Sequence, residues 1–118
     1  MHTYQRLNVW KRSRAASLEA YQVTSRFPLT ERYGLVNQIR RAAVSVPTNI
    51  VEGATRASER EFAHFLSVAE GSAAEVRHLL ETSTDLGYVA AADGGRLASE
   101  YAEIGLMIAA LRRHVARP

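Results

Sequence analysis

The chain has 118 residues, 47% hydrophobic and 23% charged, the size and mix of one globular domain with a substantial core. It contains no cysteine, which excludes disulfides, thiolate zinc sites and cysteine nucleophiles and permits a reducing compartment. The net charge of +3, with a pI near 9.7, is unevenly spread. Residues 1–28 carry +4, 29–57 carry +2, 58–88 carry −4 and 89–118 carry +1. The basic front and the acidic third segment either attract each other, within the chain or between subunits, or leave a surface for an anionic partner. The start, MHTYQRLNVWKR, has no apolar signal core, and no run approaches the roughly 18 apolar residues that span a bilayer. A cytoplasmic location with no membrane partner is therefore expected.

The spacing predicts a first helix over residues 8–25. Asn8 is its expected N-cap, Val9, Ala16, Ala20 and Val23 mark one apolar edge, and Leu7, Trp10, Leu18 and Tyr21 widen it. Phe27-Pro28 stops this helix, because the residue before proline is pushed out of the α region. Thr30 is the expected cap of a second helix, with Glu31 in its first turn facing the positive helix end.

The second helix contains RYGLVNQIRRAAVSVPTNIVEG, residues 32–53, around which the chain is organised. Val36, Ile39, Ala43, Val46 and Ile50 recur at alternating spacings of 3 and 4 residues, the seam of a helix packed against other helices. Pro47 removes the hydrogen bond to the Ala43 carbonyl, at about 3 kcal/mol in an ordinary helix interior. Either the helix continues with a kink, or two helices meet near residue 46. The seam stays in phase through Ile50 and Val46 is a poor cap, which favours the kinked helix.

A third helix opens at a capping box, Ser58 with Glu61, and carries Phe62, Leu66, Ala69, Ala73, Val76 and Leu80 on one seam until Gly87 ends it. In the fourth, Leu97, Tyr101, Ile104, Ile108, Leu111 and Val115 repeat the pattern. Its start has two readings: Asp93 is the cap, or the helix begins near Ala91 and tolerates Gly94 and Gly95 at about 1 kcal/mol each. No segment reads as a strand. The expected fold is all-α, an antiparallel up-down-up-down four-helix bundle with its second helix kinked at the proline.

Glu61 with His64 and Glu75 with His78 repeat the Glu-x-x-His pair of di-iron bundles, but both lie on one helix, about 21 Å apart and turned away from its seam. No metal site is expected. No nucleophile with a partnered base can be named and Gly94-Gly95 lacks the surroundings of a phosphate loop, so neither catalytic residues nor a cofactor are expected. Arg41, Ser45, Thr48 and Glu52 form a polar strip opposite the second seam, either solvated or at a subunit interface. Trp10 and Tyr21, apolar surface off the main stripes, join them as interface candidates. Arg6, Lys11, Arg12 and Arg14 on the first helix, Arg40 and Arg41 on the second, and Arg112, Arg113 and Arg117 near the carboxyl end are the candidate phosphate contacts, provided oligomerisation aligns them.

The order of segments resembles the bacterial four-helix-bundle proteins of the 23S rRNA intervening-sequence protein family. The matching pieces are LNVWKRS at 7–13, FPLTERYGLVNQIRRAAVSVPTNIVEG at 27–53, SEREFAHFLSVAEGSAAEV at 58–76 and Leu86-Gly87-Tyr88. Residues 91–95, AADGG, depart from the polar, glutamate-rich start of the fourth helix usual in that family. The resemblance implies a four-helix bundle assembled as a homopentameric ring. The chain is also similar to the accessory variability proteins of diversity-generating retroelements, which share this fold, are basic, and bind nucleic acid and a reverse transcriptase. The expectation is a non-enzymatic oligomer that binds RNA or DNA through arginine-rich surfaces, with a protein partner as a further possibility. The rival is a structural or protein-interaction ring whose charges serve assembly.

Overall fold

The apolar stripes become the buried faces of four helices in a computed structural model that describes residues 2–117, with no strand among them. Helix α1 spans Asn8–Thr24, α2 Leu35–Ala54, α3 Glu59–Asp85 and α4 Ala91–Val115. They enclose one core to which α1 gives Ala20, α2 gives Ile39, Val46 and Ile50, α3 gives Phe62, Leu66 and Leu80, and α4 gives Leu97, Tyr101 and Ile104. α1 packs on α2 and α4; α3 packs on the same two, and more extensively. The body measures 47 × 22 × 19 Å.

Two expected caps are displaced. Asn8 is the first residue of α1, and the cap position belongs to Leu7, which makes no side-chain cap. Leu7 packs against the core and its carbonyl accepts from the Trp10 and Lys11 amides, so packing fixes this end and the Asn8 side chain is left exposed. Thr30 lies in a 3₁₀ turn, Leu29–Glu31, well before α2 begins. The next residue does the capping: Glu31 Oε1 accepts from the Leu35 amide at 3.3 Å, and its Oε2 accepts from the Tyr88 hydroxyl at 3.0 Å. A longer carboxylate side chain thus closes α2 and ties its start to the turn between α3 and α4.

α2 is a single helix with Pro47 buried inside it. Side chains flanking the proline brace the turn it weakens: Thr48 Oγ1 donates to the Val44 carbonyl at 2.7 Å and Asn49 Nδ2 to the Ser45 carbonyl at 2.8 Å. At the head of α3 the Glu61 amide donates to Ser58 Oγ at 3.1 Å, one half of the expected box, while the Glu61 carboxylate accepts from the Ser58 hydroxyl at 3.3 Å in place of its amide. At its foot Gly87 takes φ 80°, the Gly87 amide reaches the Thr84 carbonyl and the Tyr88 amide reaches that of Ser83, which satisfies two orphan carbonyls. α4 begins at Ala91, so Gly94 and Gly95 are helical.

Gly94 is required by proximity, since a Cβ there would lie 2.2 Å from Thr84 Oγ1. Gly53 has the same role between α2 and α3, where a Cβ would stand 2.8 Å from Phe65 Cβ and 2.9 Å from Phe62 Cδ1. Alanine is the better helix former by about 1 kcal/mol, but overpacking costs about 1–3 kcal/mol. Thermal unfolding should therefore show Gly53→Ala destabilised, while Gly71→Ala, where a Cβ meets nothing, gains stability.

Tyr101 is 1% exposed and its hydroxyl has no hydrogen-bond partner among the described residues. Desolvation first, then the charges of Glu19 and Glu100, push its pKa above the ordinary 10.0. The unfolded chain releases this proton near its ordinary value while the folded chain keeps it, so stability falls as pH rises past that value. Tyr101→Phe removes a buried hydroxyl whose desolvation costs about 1–3 kcal/mol. Unfolding titrations should find the variant at least as stable at neutral pH and less sensitive to alkali.

Candidate nucleic-acid interface

The fold sorts the arginines by what holds them. Arg12, on α1, donates from Nε to Glu100 Oε2 at 3.1 Å and from Nη2 to Glu100 Oε1, and lies 3.8 Å from Glu103. The hydrogen bond to Glu100 is the main reason its pKa is raised. Arg96 pairs with Glu19 at 2.9 Å, Arg112 with Glu70 at 3.0 Å and Arg77 with Glu81 at 3.3 Å. These cations join α4 to α1, α4 to α3, and one turn of α3 to the next. Two of the nine predicted phosphate contacts, Arg12 and Arg112, are therefore engaged by carboxylates of their own chain. The charge near them was legible in the sequence, but the partners lie 88 and 42 residues away.

Arg40 is held differently. Its Nε donates to Thr24 Oγ1 at 2.9 Å, its Nη2 donates to the Tyr21 carbonyl at 3.2 Å, and its guanidinium carbon lies 4.6 Å from the centroid of the Tyr21 ring. All three partners are neutral. Arg41, one residue on, is exposed. Arg6, Lys11, Arg14, Arg113 and Arg117 are exposed as well, and none of these six has a carboxylate in ion-pair range among the described residues.

Two grooves meet at Arg40. One, of about 530 Å³, runs over the outer face of α2 between Tyr21 and Asn49 and includes Asn37, Arg41, Val44 and Thr48. The other, of about 270 Å³, follows the turn after α1, with Phe27, Pro28, Leu29 and Arg32. No carboxylate lines either. The groove between α3 and α4, by contrast, contains Glu70 and Glu81 beside Arg77 and His78. The structure thus brings Tyr21, Arg40 and Arg41 together, whereas Arg6, Lys11, Arg14, Arg113 and Arg117 line none of these grooves.

The interface candidates also divide. Ser45 is half-buried and its hydroxyl meets Ser72 Oγ at 2.8 Å, so it joins α2 to α3 within the chain. Thr48 and Glu52 are exposed, Tyr21 is 43% exposed, and Trp10 is half-buried edge-on against Tyr4 at 5.1 Å. Asn37, Asn49 and Thr24 were not singled out from the sequence. The four-residue step from Asn37 to Arg41 was a usable signal for the first; nothing local marks Thr24 as the anchor of an arginine 16 residues away. Glu61, His64, Glu75 and His78 are all exposed, and no group of three potential metal ligands occurs among the described residues.

The class is that of small all-helical bundle proteins with a basic flank. Residues 5–110 match the 23S rRNA-intervening sequence protein family, and the chain belongs to it. Among solved structures it is similar to a protein of unknown function from the S23 ribosomal protein family of Bacteroides thetaiotaomicron VPI-5482. The TM-score is 0.77 at 20% sequence identity, over 87% of this chain and 96% of that one, a likeness of fold. No curated protein matches. No helix among the described residues is long and apolar enough to cross a membrane.

The division of the arginines has a stability consequence. Arg12→Ala should cost about 1 kcal/mol, the upper end for a partly exposed pair, because it severs the bidentate link from α1 to α4. Arg14→Ala, with no partner to lose, should stay within about 0.5 kcal/mol of the parent in urea unfolding.

Proposed function

We propose that the protein is a non-enzymatic, oligomeric helical bundle that binds RNA or DNA through the face made by α1 and α2. The observation that carries this reading is that the two grooves meeting at Arg40 contain arginines and no carboxylate. An arginine held by neutral acceptors keeps its full charge and a fixed direction, which favours a phosphate over water. In the proposed arrangement the helices alternate in direction, as their short connections and neighbour-by-neighbour packing favour, and α2 bends at Pro47. The family resemblance implies a homopentamer, in which five copies of a +3 chain carry about +15, and the lack of an apolar signal core favours a cytoplasmic one.

A second reading, a structural or protein-interaction ring without nucleic acid, is supported by Leu106 and Val68 on α4 and α3, which are 72% and 40% exposed. Light scattering and labelled-oligonucleotide titration on the same sample separate the two. The expected particle is about 65 kDa for five chains of 13.1 kDa. Binding should weaken roughly a thousandfold between about 50 and 200 mM salt if about six phosphates are contacted. Replacing Arg41 by Gln should flatten that salt dependence. A stable particle that binds no oligonucleotide at low salt would leave the structural ring as the function.

A further inference from the structure

Among the described residues, Arg40 alone combines two neutral hydrogen-bond acceptors with an aromatic ring beneath its guanidinium. The anchoring groups, Thr24 Oγ1, the Tyr21 carbonyl and the Tyr21 ring, all belong to α1, while Arg40 itself belongs to α2. Thr24 is buried, and its hydroxyl is in turn fixed by donating to the Ala20 carbonyl at 2.7 Å. The result is a guanidinium anchored over an aromatic ring, preassembled where two helices meet, in the wall of the 530 Å³ groove. Asn37 and Arg41 stand one turn apart on α2 in the same groove.

We infer that this groove accepts an unpaired nucleotide, so that the protein prefers single-stranded to duplex nucleic acid; this rests on the nucleic-acid reading above. A simple phosphate site needs charge but no aromatic ring beside it. An unpaired base offers a π-face that stacks on aromatic rings and on guanidinium planes, whereas a duplex keeps its base faces inside its own stack and presents only phosphates to a side groove. Asn37 supplies an amide able both to donate to and accept from a base edge, and Arg41, which is in no ion pair among the described residues, supplies a charge for the adjoining phosphate. Successive residues of a helix point about 100° apart, so Arg40 and Arg41 open toward different directions. A flexible strand can follow that turn; a duplex, stiff over about 150 base pairs, cannot.

The test is fluorescence anisotropy of the intact protein with a labelled single strand of about 12 nucleotides and with a duplex of the same length, each over a range of salt. The single strand should bind about tenfold or more tightly. Tyr21→Leu should bring its affinity down toward that of the duplex with little change in salt slope, because stacking is not counterion release. Arg40→Lys keeps the charge and loses the plane, and should reduce the same preference. Circular dichroism checks that each variant is folded; Tyr21 is 43% exposed, and Leu covers the apolar surface it leaves. Equal binding of single strand and duplex, or a preference unchanged in both variants, overturns the inference while leaving nucleic-acid binding standing. Absence of binding to either probe at low salt overturns the underlying reading and this inference with it.

Discussion

How closely α3 can approach its two neighbours governs the rest of the molecule. Its buried stripe alternates large residues, Phe62, Leu66, Val76 and Leu80, with Ala69 and Ala73, and glycines of α2 and α4 face it where the backbones come nearest. Small residues at such crossings let large ones interdigitate at crystal-like density. Because α3 is the best-packed helix, its flanks are also where charges are brought into register, as in the pair Glu70 with Arg112. α1 is shorter, 17 residues against 27, and lines its buried side with Ser13, Ser17 and Thr24 as well as alanines. Those hydroxyls donate to carbonyls of their own helix, so they are satisfied without drawing α2 inward. The looser junction of α1 with α2 is where the groove opens.

The same geometry explains why the basic face stays basic. Few acids precede α3, and the structure assigns work to two of them. Glu19 faces Arg96 of α4, and Glu31 is held by the Leu35 amide and the Tyr88 hydroxyl. Glu52 remains exposed on α2. Arg40 and Arg41 consequently have no carboxylate in ion-pair range, although Glu75 of α3 lines the far side of a groove next to Arg41. Exposed ion pairs contribute at most about 1 kcal/mol, so folding itself would gain little by neutralising them. An unpaired arginine in a groove is therefore tolerated by the fold at little cost.

Much of this was legible in the residues. The seams of the last three helices are buried nearly throughout, with Leu111 half-buried near the end of α4, because a 3-and-4 spacing permits one packed face and no other. The first helix was harder to read: its broad apolar face does not all turn inward, and Leu18 and Tyr21 are exposed while Ser13 and Ser17 are buried. Caps that rely on a neighbour three residues away were visible, as at Ser58. Glu31 was expected as a charge at the positive end of this helix; that its carboxylate, four residues before Leu35, becomes the cap in place of Thr30 depends on the turn between them. The arginines met the same limit. Sequence shows where positive charge is concentrated, but which cations are neutralised depends on partners brought together by folding, so Arg12 and Arg40 look alike until the helices are packed.

The two functional readings differ in one contact. A cyclic ring of more than two subunits needs a heterologous interface, in which one patch meets a different patch on the next copy. One candidate for such a patch is the α3–α4 groove beside Leu106, which is 72% exposed. If it docks on the α1–α2 junction of the next copy, Tyr21 and Val44 meet Leu106, the acids Glu70 and Glu81 of that groove approach Arg40 and Arg41, and the arginine groove is both covered and neutralised. If the patch docks elsewhere, the groove of each subunit remains open and symmetry repeats it around the ring. Assembly and ligand binding are thus not independent properties of this surface. In a ring, the docking partner of Leu106 would decide between an arginine face that joins subunits and one that is repeated as an open track for a strand.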